Sequence, residues 1–196
     1  MRFASGKCVW YYFQSNRLNM QKLFLLLSFM VALSCIHAQE LTGIATKWSD
    51  SFTEWVIFTD DEELEGELRL RWLSNNDWSE WEYRVGDASG SIRLKWKPNQ
   101  NEWEVRGDNE IVTMRTVWNN DFREWRISAD KTLTLKCRHG NLFDEWELDS
   151  SDFRIATVWE GDPRDWLIED RLGDEVSLPV KMAVVFIAVF NSTPKM

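Results

Sequence analysis

Histidine and cysteine are scarce in this chain, and their scarcity closes off much of catalysis. The 196 residues hold two histidines and three cysteines. His37, Cys8 and Cys35 lie in or before an apolar leader, which leaves only His139 and Cys137 in the body. No zinc ligand set can be built from those two types alone. A Ser–His–Asp triad would have to use His139, and no serine sits in a G-x-S-x-G turn. The phosphate loops G-x-x-x-x-G-K-[ST] and G-x-G-x-x-G are missing as well. With one cysteine in the body, no disulfide can form there, so the fold must be held by its core. Basic charge is also short. Lys plus Arg number 23 against 32 Asp plus Glu, a formal charge of −9. The first 39 residues carry Arg2, Lys7, Arg17 and Lys22 and no acid, so beyond them 19 bases face 32 acids, a charge of −13. Such a surface excludes general nucleic-acid binding, which needs cations to displace phosphate counterions. It suits a soluble protein or one with a cationic partner.

Long apolar runs are lacking too. Leu23–Leu33 falls short of the about 20 residues that a bilayer-spanning helix needs. Preceded by Lys22 and followed by the cleavage tripeptide Ile36-His37-Ala38, it reads as a secretion signal. Met20–Gln39 resembles bacterial Sec signals, which commonly end in Ala-Gln. Residues 1–38 are therefore read as a signal region with its true start at Met20 and cleavage near Ala38. Export follows, to the periplasm, the cell envelope or the exterior. Cys35 sits as in a lipoprotein signal but lacks the usual leucine three residues earlier, so cleavage after Ala38 is favoured over lipidation.

What is abundant is tryptophan: 12 between Trp48 and Trp166. Leu68–Val85 shows the pattern, two short strands joined by a polar turn with a tryptophan on each. The unit recurs six times over residues 41–172, every 20–26 residues, which marks a repeat architecture. The second tryptophan of each unit is Trp55, Trp81, Trp103, Trp125, Trp146 or Trp166, always preceded by an acid and followed two residues on by an apolar or aromatic residue. The first strands end at Trp48, Trp72, Trp96, Trp118, Cys137 and Trp159, with Ile44, Leu68, Ile92, Met114, Leu133 and Ile155 four residues upstream. Leu68, Leu70 and Trp72 alternate with Arg69 and Arg71, the period of a half-buried strand. By this parity both tryptophans of a unit face the core, and Cys137 stands in for one of them as a small buried residue. The opposite face pairs cations on first strands with acids on second strands.

Turns rich in Asn, Asp and Gly separate the strands. The sequence thus predicts an all-β antiparallel meander of about twelve strands. A sheet that long curls or closes, so a closed or nearly closed barrel is expected, with a curled open sheet second. Residues 173–196 break the pattern. Met182–Phe190 (MAVVFIAVF) is apolar on all sides and reads equally as strand or helix; Ser177, Pro179, Asn191 and Pro194 are placed as helix boundaries. Either form would cover or plug the apolar face of the sheet.

The candidate chemistry is thin. The repeated acids read as a charge ladder rather than a glycosidase pair. Oxygen-rich stretches such as Asp60-Asp61-Glu62-Glu63 lack calcium-loop spacing and read as solvated turns. Arg106-Gly107-Asp108 is a chance tripeptide in a turn. No catalytic residue, metal ligand or cofactor is expected. Neither the Gly-Glu spacing of MORN repeats nor the Gly-His…Trp-Asp signature of WD40 blades is present. The turn aromatics Phe52, Trp78, Phe122 and Phe143 stand three residues before a second tryptophan. They are the candidate ligand-binding residues: as lids they would pack on the core, as platforms they would hold a sugar or a hydrophobic partner. The expectation is an exported, non-catalytic binding or structural protein of the bacterial envelope or exterior, with an unidentified protein or glycan as partner and no nucleic acid. A carbohydrate-binding module is the first alternative. An outer-membrane barrel is the second, disfavoured because its strands need about 9–11 residues.

Overall fold

A computed structural model describes residues 40–194, apart from 62, 76, 174 and 175. The leader, its cleavage site and Cys35 lie outside the described residues. The rest is a closed antiparallel barrel of twelve strands in simple meander order, with one C-terminal helix. The strands are β1 (Leu41–Trp48), β2 (Ser51–Thr59), β3 (Gly66–Trp72), β4 (Asp77–Val85), β5 (Ala88–Trp96) and β6 (Asn99–Gly107). They continue as β7 (Glu110–Trp118), β8 (Asp121–Ser128), β9 (Thr132–Cys137), β10 (Glu145–Leu148), β11 (Phe153–Thr157) and β12 (Asp165–Asp170). Pairing of β1 with β12, through Ile44 opposite Trp166, closes the ring and removes both edges.

Register gives the barrel a pseudo-sixfold order. Trp81 faces Leu70 within its own unit and Ile92 in the next, and Ile92 is the equivalent of Leu68. Each unit is thus displaced by two residues from its neighbour, and the same step joins unit six to unit one. Equivalent side chains therefore lie on common rings around the axis. The inner ring is the second-tryptophan set, each at most 2% exposed. Each indole N–H donates to the carbonyl three residues back: Phe52, Trp78, Gln100, Phe122, Phe143 and Pro163, at 2.8–3.2 Å. Large buried surfaces thus come with their one polar group satisfied, six times over.

The C-terminal segment is a helix, α1 (Leu178–Ser192), and it fills the lumen. Every residue from Pro179 to Phe190 is buried, which explains a segment apolar on all sides: the wall surrounds it. An eight-strand barrel is filled by its own side chains, and twelve strands leave room for more. Phe186 packs edge-on between Trp81 and Trp103, and Phe190 packs on Trp103 at 4.7 Å. Ser177 is the N-cap residue and Pro179 lies in the first turn, but the Ser177 hydroxyl donates to the Glu110 carboxylate rather than capping the helix. At the other end, the Ser192 hydroxyl donates to the carbonyls of Ala188 and Phe143. The helix thus runs from the rim of between-unit turns to the rim of within-unit turns.

One core lysine needs an account. Lys181 is 1% exposed and its ammonium lies 2.7 Å from Asp170 Oδ2. The backbone N–H of Leu41 donates to the same oxygen, and that of Leu172 to Oδ1. Asp170 therefore ties together the start of β1, the end of β12 and the helix. Near the same end, the Tyr83 ring crosses Gly90 and Gly107 on the two following strands, where a Cβ would collide with it. Its hydroxyl is buried with no partner among the described residues. Burial, then the nearby Asp108 and Glu110 carboxylates, push its pKa well above the usual phenol range.

Two expectations from parity need correcting. In units one to four, pairing slips at the end of the first strand. Leu94 faces Trp103 and Trp96 faces Asn99, so Lys95 alone stands against residues 100–102. A bulge of this kind re-aims the strand end. Trp48, Trp72, Trp96 and Trp118 leave the core, and so does Trp159 just after β11. The fifth unit is shifted by two. Cys137 faces Trp146, as Leu70 faces Trp81, and Leu135 rather than Leu133 faces the preceding inner tryptophan. The outer position is filled by His139, and Cys137 is only half-buried against the core.

Candidate functional site: a girdle of exposed tryptophans

All odd strands run the same way, so their ends and the within-unit turns gather at one rim. Around that rim stand Trp48, Trp72, Trp96, Trp118 and Trp159, exposed by 46% (Trp72) to 68% (Trp159), with His139 completing the ring. Two strand spacings separate neighbours, roughly 10 Å along the wall. Leu73, Leu142 and Val158 are exposed beside them. Of the large apolar side chains open to water, most therefore sit at this rim.

The girdle lies against a ladder of opposite charges. The Trp48 indole N–H donates to Glu54 (3.2 Å) and that of Trp72 to Glu80 (2.9 Å). Lys47 and Arg71 sit over the same two rings at 5.8 and 5.1 Å. His139 takes the corresponding place beside Asp144 (3.2 Å) and Glu145 (3.5 Å). Further round, Lys95 pairs with Glu102, Arg71 with Glu80, and Arg154 with both Glu145 and Glu169. Burial raises the Glu104 pKa, but hydrogen bonds from Arg106 and Arg93 outweigh it and hold the carboxyl below the usual range. Glu145 follows the same balance through Arg154 and Arg138. At the turns, Lys97 holds Asp77 at about 2 and Arg123 holds Asp121 at about 2. These carboxylates therefore stay ionised at neutral pH.

The turn aromatics chosen from the sequence occupy a different layer. Phe52, Trp78, Phe122 and Phe143 are partly buried and packed on the core. Each leans on an inner tryptophan, with ring centres 6.1, 5.6, 6.1 and 5.8 Å apart. They form lids at the lumen mouth, and each offers its carbonyl to an inner indole. Phe52 alone of the four lines a groove of about 520 Å³ at the seam between units six and one. Its other walls include Ser49, Asp50, Glu160, Pro163, Arg164 and Pro194, so the girdle residues Trp48 and Trp159 flank it in sequence. That volume is in the range of small-ligand sites.

The girdle escaped the sequence reading, and the signal for it lies four residues before the second tryptophan. There stand Ser51, Asp77, Asn99, Asp121 and Asp162, and each side chain accepts the N–H two residues on. These turns start the bulge. In unit five the position is Leu142, and no such turn forms there among the described residues. Among the described residues no three His, Cys, Asp or Glu side chains converge as a metal site would require. Compared with family models, curated proteins and solved structures, the chain matches none.

Proposed function

We propose that this chain is an exported, non-catalytic barrel of the bacterial envelope or exterior, and that it binds its partner through the tryptophan girdle. One observation carries the reading. Five of six copies keep a tryptophan at a position where it stays about half open to water. A buried position of the same repeat drifts, as Ile44, Leu68, Met114 and Leu135 show, and the inner tryptophans, kept in all six units, each have a packed ring and an indole–carbonyl bond to explain it. Internal locking does not explain the retention at the girdle, since among the described residues an indole–carboxylate bond forms at Trp48 and Trp72 and not at the other three. Exposed aromatics gathered at one rim mark interaction sites. The filled lumen supports a surface role, because the place where a barrel would hold a small ligand holds α1 instead.

An integral outer-membrane barrel is the weaker reading. Its outer face would be apolar over a band about 25 Å tall, and here that face carries Arg69, Arg93, Glu82, Glu104 and Arg154 in ion pairs. Its strands would need about 9–11 residues, and these run from four to nine. Among the described residues, no helix is long and apolar enough to cross a membrane. The test is sedimentation with a bacterial envelope fraction, comparing wild type with Trp96→Ala/Trp118→Ala/Trp159→Ala. The variant should stay in the supernatant; equal sedimentation of both proteins would remove the girdle from the function.

A further inference from the structure

Resting on the girdle as contact surface, we infer that its ligand is a neutral sugar chain. Four features of the rim select this chemistry. First, the platforms are single and spaced. Roughly 10 Å of wall separates neighbouring indoles, and the exposed Leu73, Leu142 and Val158 sit beside different members of the ring, so the apolar surface is spread around the rim rather than gathered in the central cluster that anchors a protein interface. One indole matches one pyranose face, and a repeated site suits a repeated ligand. Second, carboxylates stand beside platforms: Glu54 accepts the Trp48 indole N–H and Glu80 that of Trp72, and a carboxylate in such a bond or in an ion pair keeps lone pairs that can accept hydroxyl hydrogens. Third, charge excludes acidic chains. The body carries −13, and four cations of the rim are already engaged, Lys95 by Glu102, Lys97 by Asp77, Arg123 by Asp121 and Arg164 by Asp162, which leaves Arg115 and Arg126, opposite each other on β7 and β8, as one local exception. A polyuronate, a nucleic acid or an anionic lipid surface would meet net repulsion. Fourth, the polar turn residues Ser49–Asp50, Asn119–Asn120 and Gly161–Asp162 follow Trp48, Trp118 and Trp159 closely in sequence, so a bilayer interface that took up the indoles would have to take up those polar groups with them.

The seam groove is an open subsite on this rim. Phe52, Pro163 and Pro194 give it apolar walls, and Asp50, Glu160 and Arg164 give it polar ones. The curvature of the girdle sets the valency. Equivalent platforms face outward around a closed ring, so one straight chain reaches neighbouring platforms only, and other chains are free to occupy the remaining sides. The barrel would then cross-link chains.

The experiment uses the full chain and a delipidated, proteinase-treated envelope polysaccharide, with cellohexaose, chitohexaose and polygalacturonate as soluble competitors. Wild type should be retained and displaced by a neutral hexasaccharide but not by polygalacturonate. Trp96→Ala/Trp118→Ala/Trp159→Ala, folded by circular dichroism, should be retained about fivefold less or weaker still. Retention that vanishes on proteinase treatment, yet still depends on the three tryptophans, would overturn the sugar and leave the girdle standing. Displacement by polygalacturonate alone, or by none of the three competitors, would overturn the neutral chain. Equal retention of the variant would overturn both readings.

Discussion

Removing either member of the Lys181–Asp170 pair should destabilise the barrel far more than removing both. The pair is 2.7 Å apart, and the side chains are 1% and 0% exposed. Breaking a buried ion pair from one side costs about 3–5 kcal/mol, because a charge is left without compensation. The two singles should differ. Lys181→Met leaves a carboxylate that still accepts the Leu41 and Leu172 amides, so its cost belongs near the lower figure. Asp170→Asn takes the 2.7 Å carboxylate from the ammonium and leaves one acceptor oxygen for two backbone donors, and with both losses its cost belongs near the upper. Folded domains hold about 5–15 kcal/mol in all, so Asp170→Asn stands at the edge of folding. The double variant Asp170→Asn/Lys181→Met buries no net charge and should recover to within about 1–2 kcal/mol of wild type. Urea unfolding followed by tryptophan emission measures this, since the inner ring moves from core to water. Singles that each cost under about 1 kcal/mol, or a double variant no better than the worse single, would refute the reasoning.

Three further outcomes follow from the geometry. The Glu104 and Glu145 carboxyls are held below their usual range, so their contribution is fully present above the unfolded value near 4.5 and is lost as pH falls through the folded one. The melting temperature should hold steady above about pH 5 and drop below about pH 4.5. Glu104→Gln should cost about 1 kcal/mol at pH 7, the arginines being half exposed, and progressively less as pH falls below about 4.5; a cost that does not shrink with acidification would refute the assignment. Tyr83→Phe removes a buried hydroxyl without a partner among the described residues and should be neutral or stabilising by about 1 kcal/mol. Gly90→Ala, colliding with the same ring and with the Arg106 carbonyl, should destabilise by about 1–3 kcal/mol, both read by thermal melts. Trp118→Ala on the girdle should change stability by about 0.5 kcal/mol at most, while Trp103→Ala in the inner ring should cost about 3–5 kcal/mol.

The barrel was legible because its determinants are local and repeated. Period-two alternation, polar turns and a sixfold recurrence specify a long meander, and unpaired edges on such a sheet favour closure. The helix was not legible as a helix. Met182–Phe190 has no polar face to betray a 3.6-residue period, and the reason lies outside the segment, in the wall that surrounds it. The girdle was misassigned by a count that is right for an unbroken strand. From Leu70 to Trp72 two residues preserve the face, but three residues of β4 bulge against Arg71 and turn the strand end outward. The bulge is visible only in three dimensions, beside the bond in which the Trp81 indole N–H donates to the Trp78 carbonyl, 3.0 Å away. Unit five has Leu142 where its sisters have Ser, Asp or Asn and His139 where they have tryptophan, so neither residue that marks the strand end is there and Cys137 reads as the equivalent position.

The division of tryptophans into a sealed inner ring and an open girdle is most directly tested by nuclear magnetic resonance of ¹⁵N-labelled indoles during titration with chitohexaose and with cellohexaose. Shifts confined to Trp48, Trp72, Trp96, Trp118 and Trp159, with Trp55, Trp81, Trp103, Trp125, Trp146 and Trp166 unmoved, are the expected result. Saturable shifts in the inner six with the girdle silent, or no shift at any indole under either sugar, would contradict it.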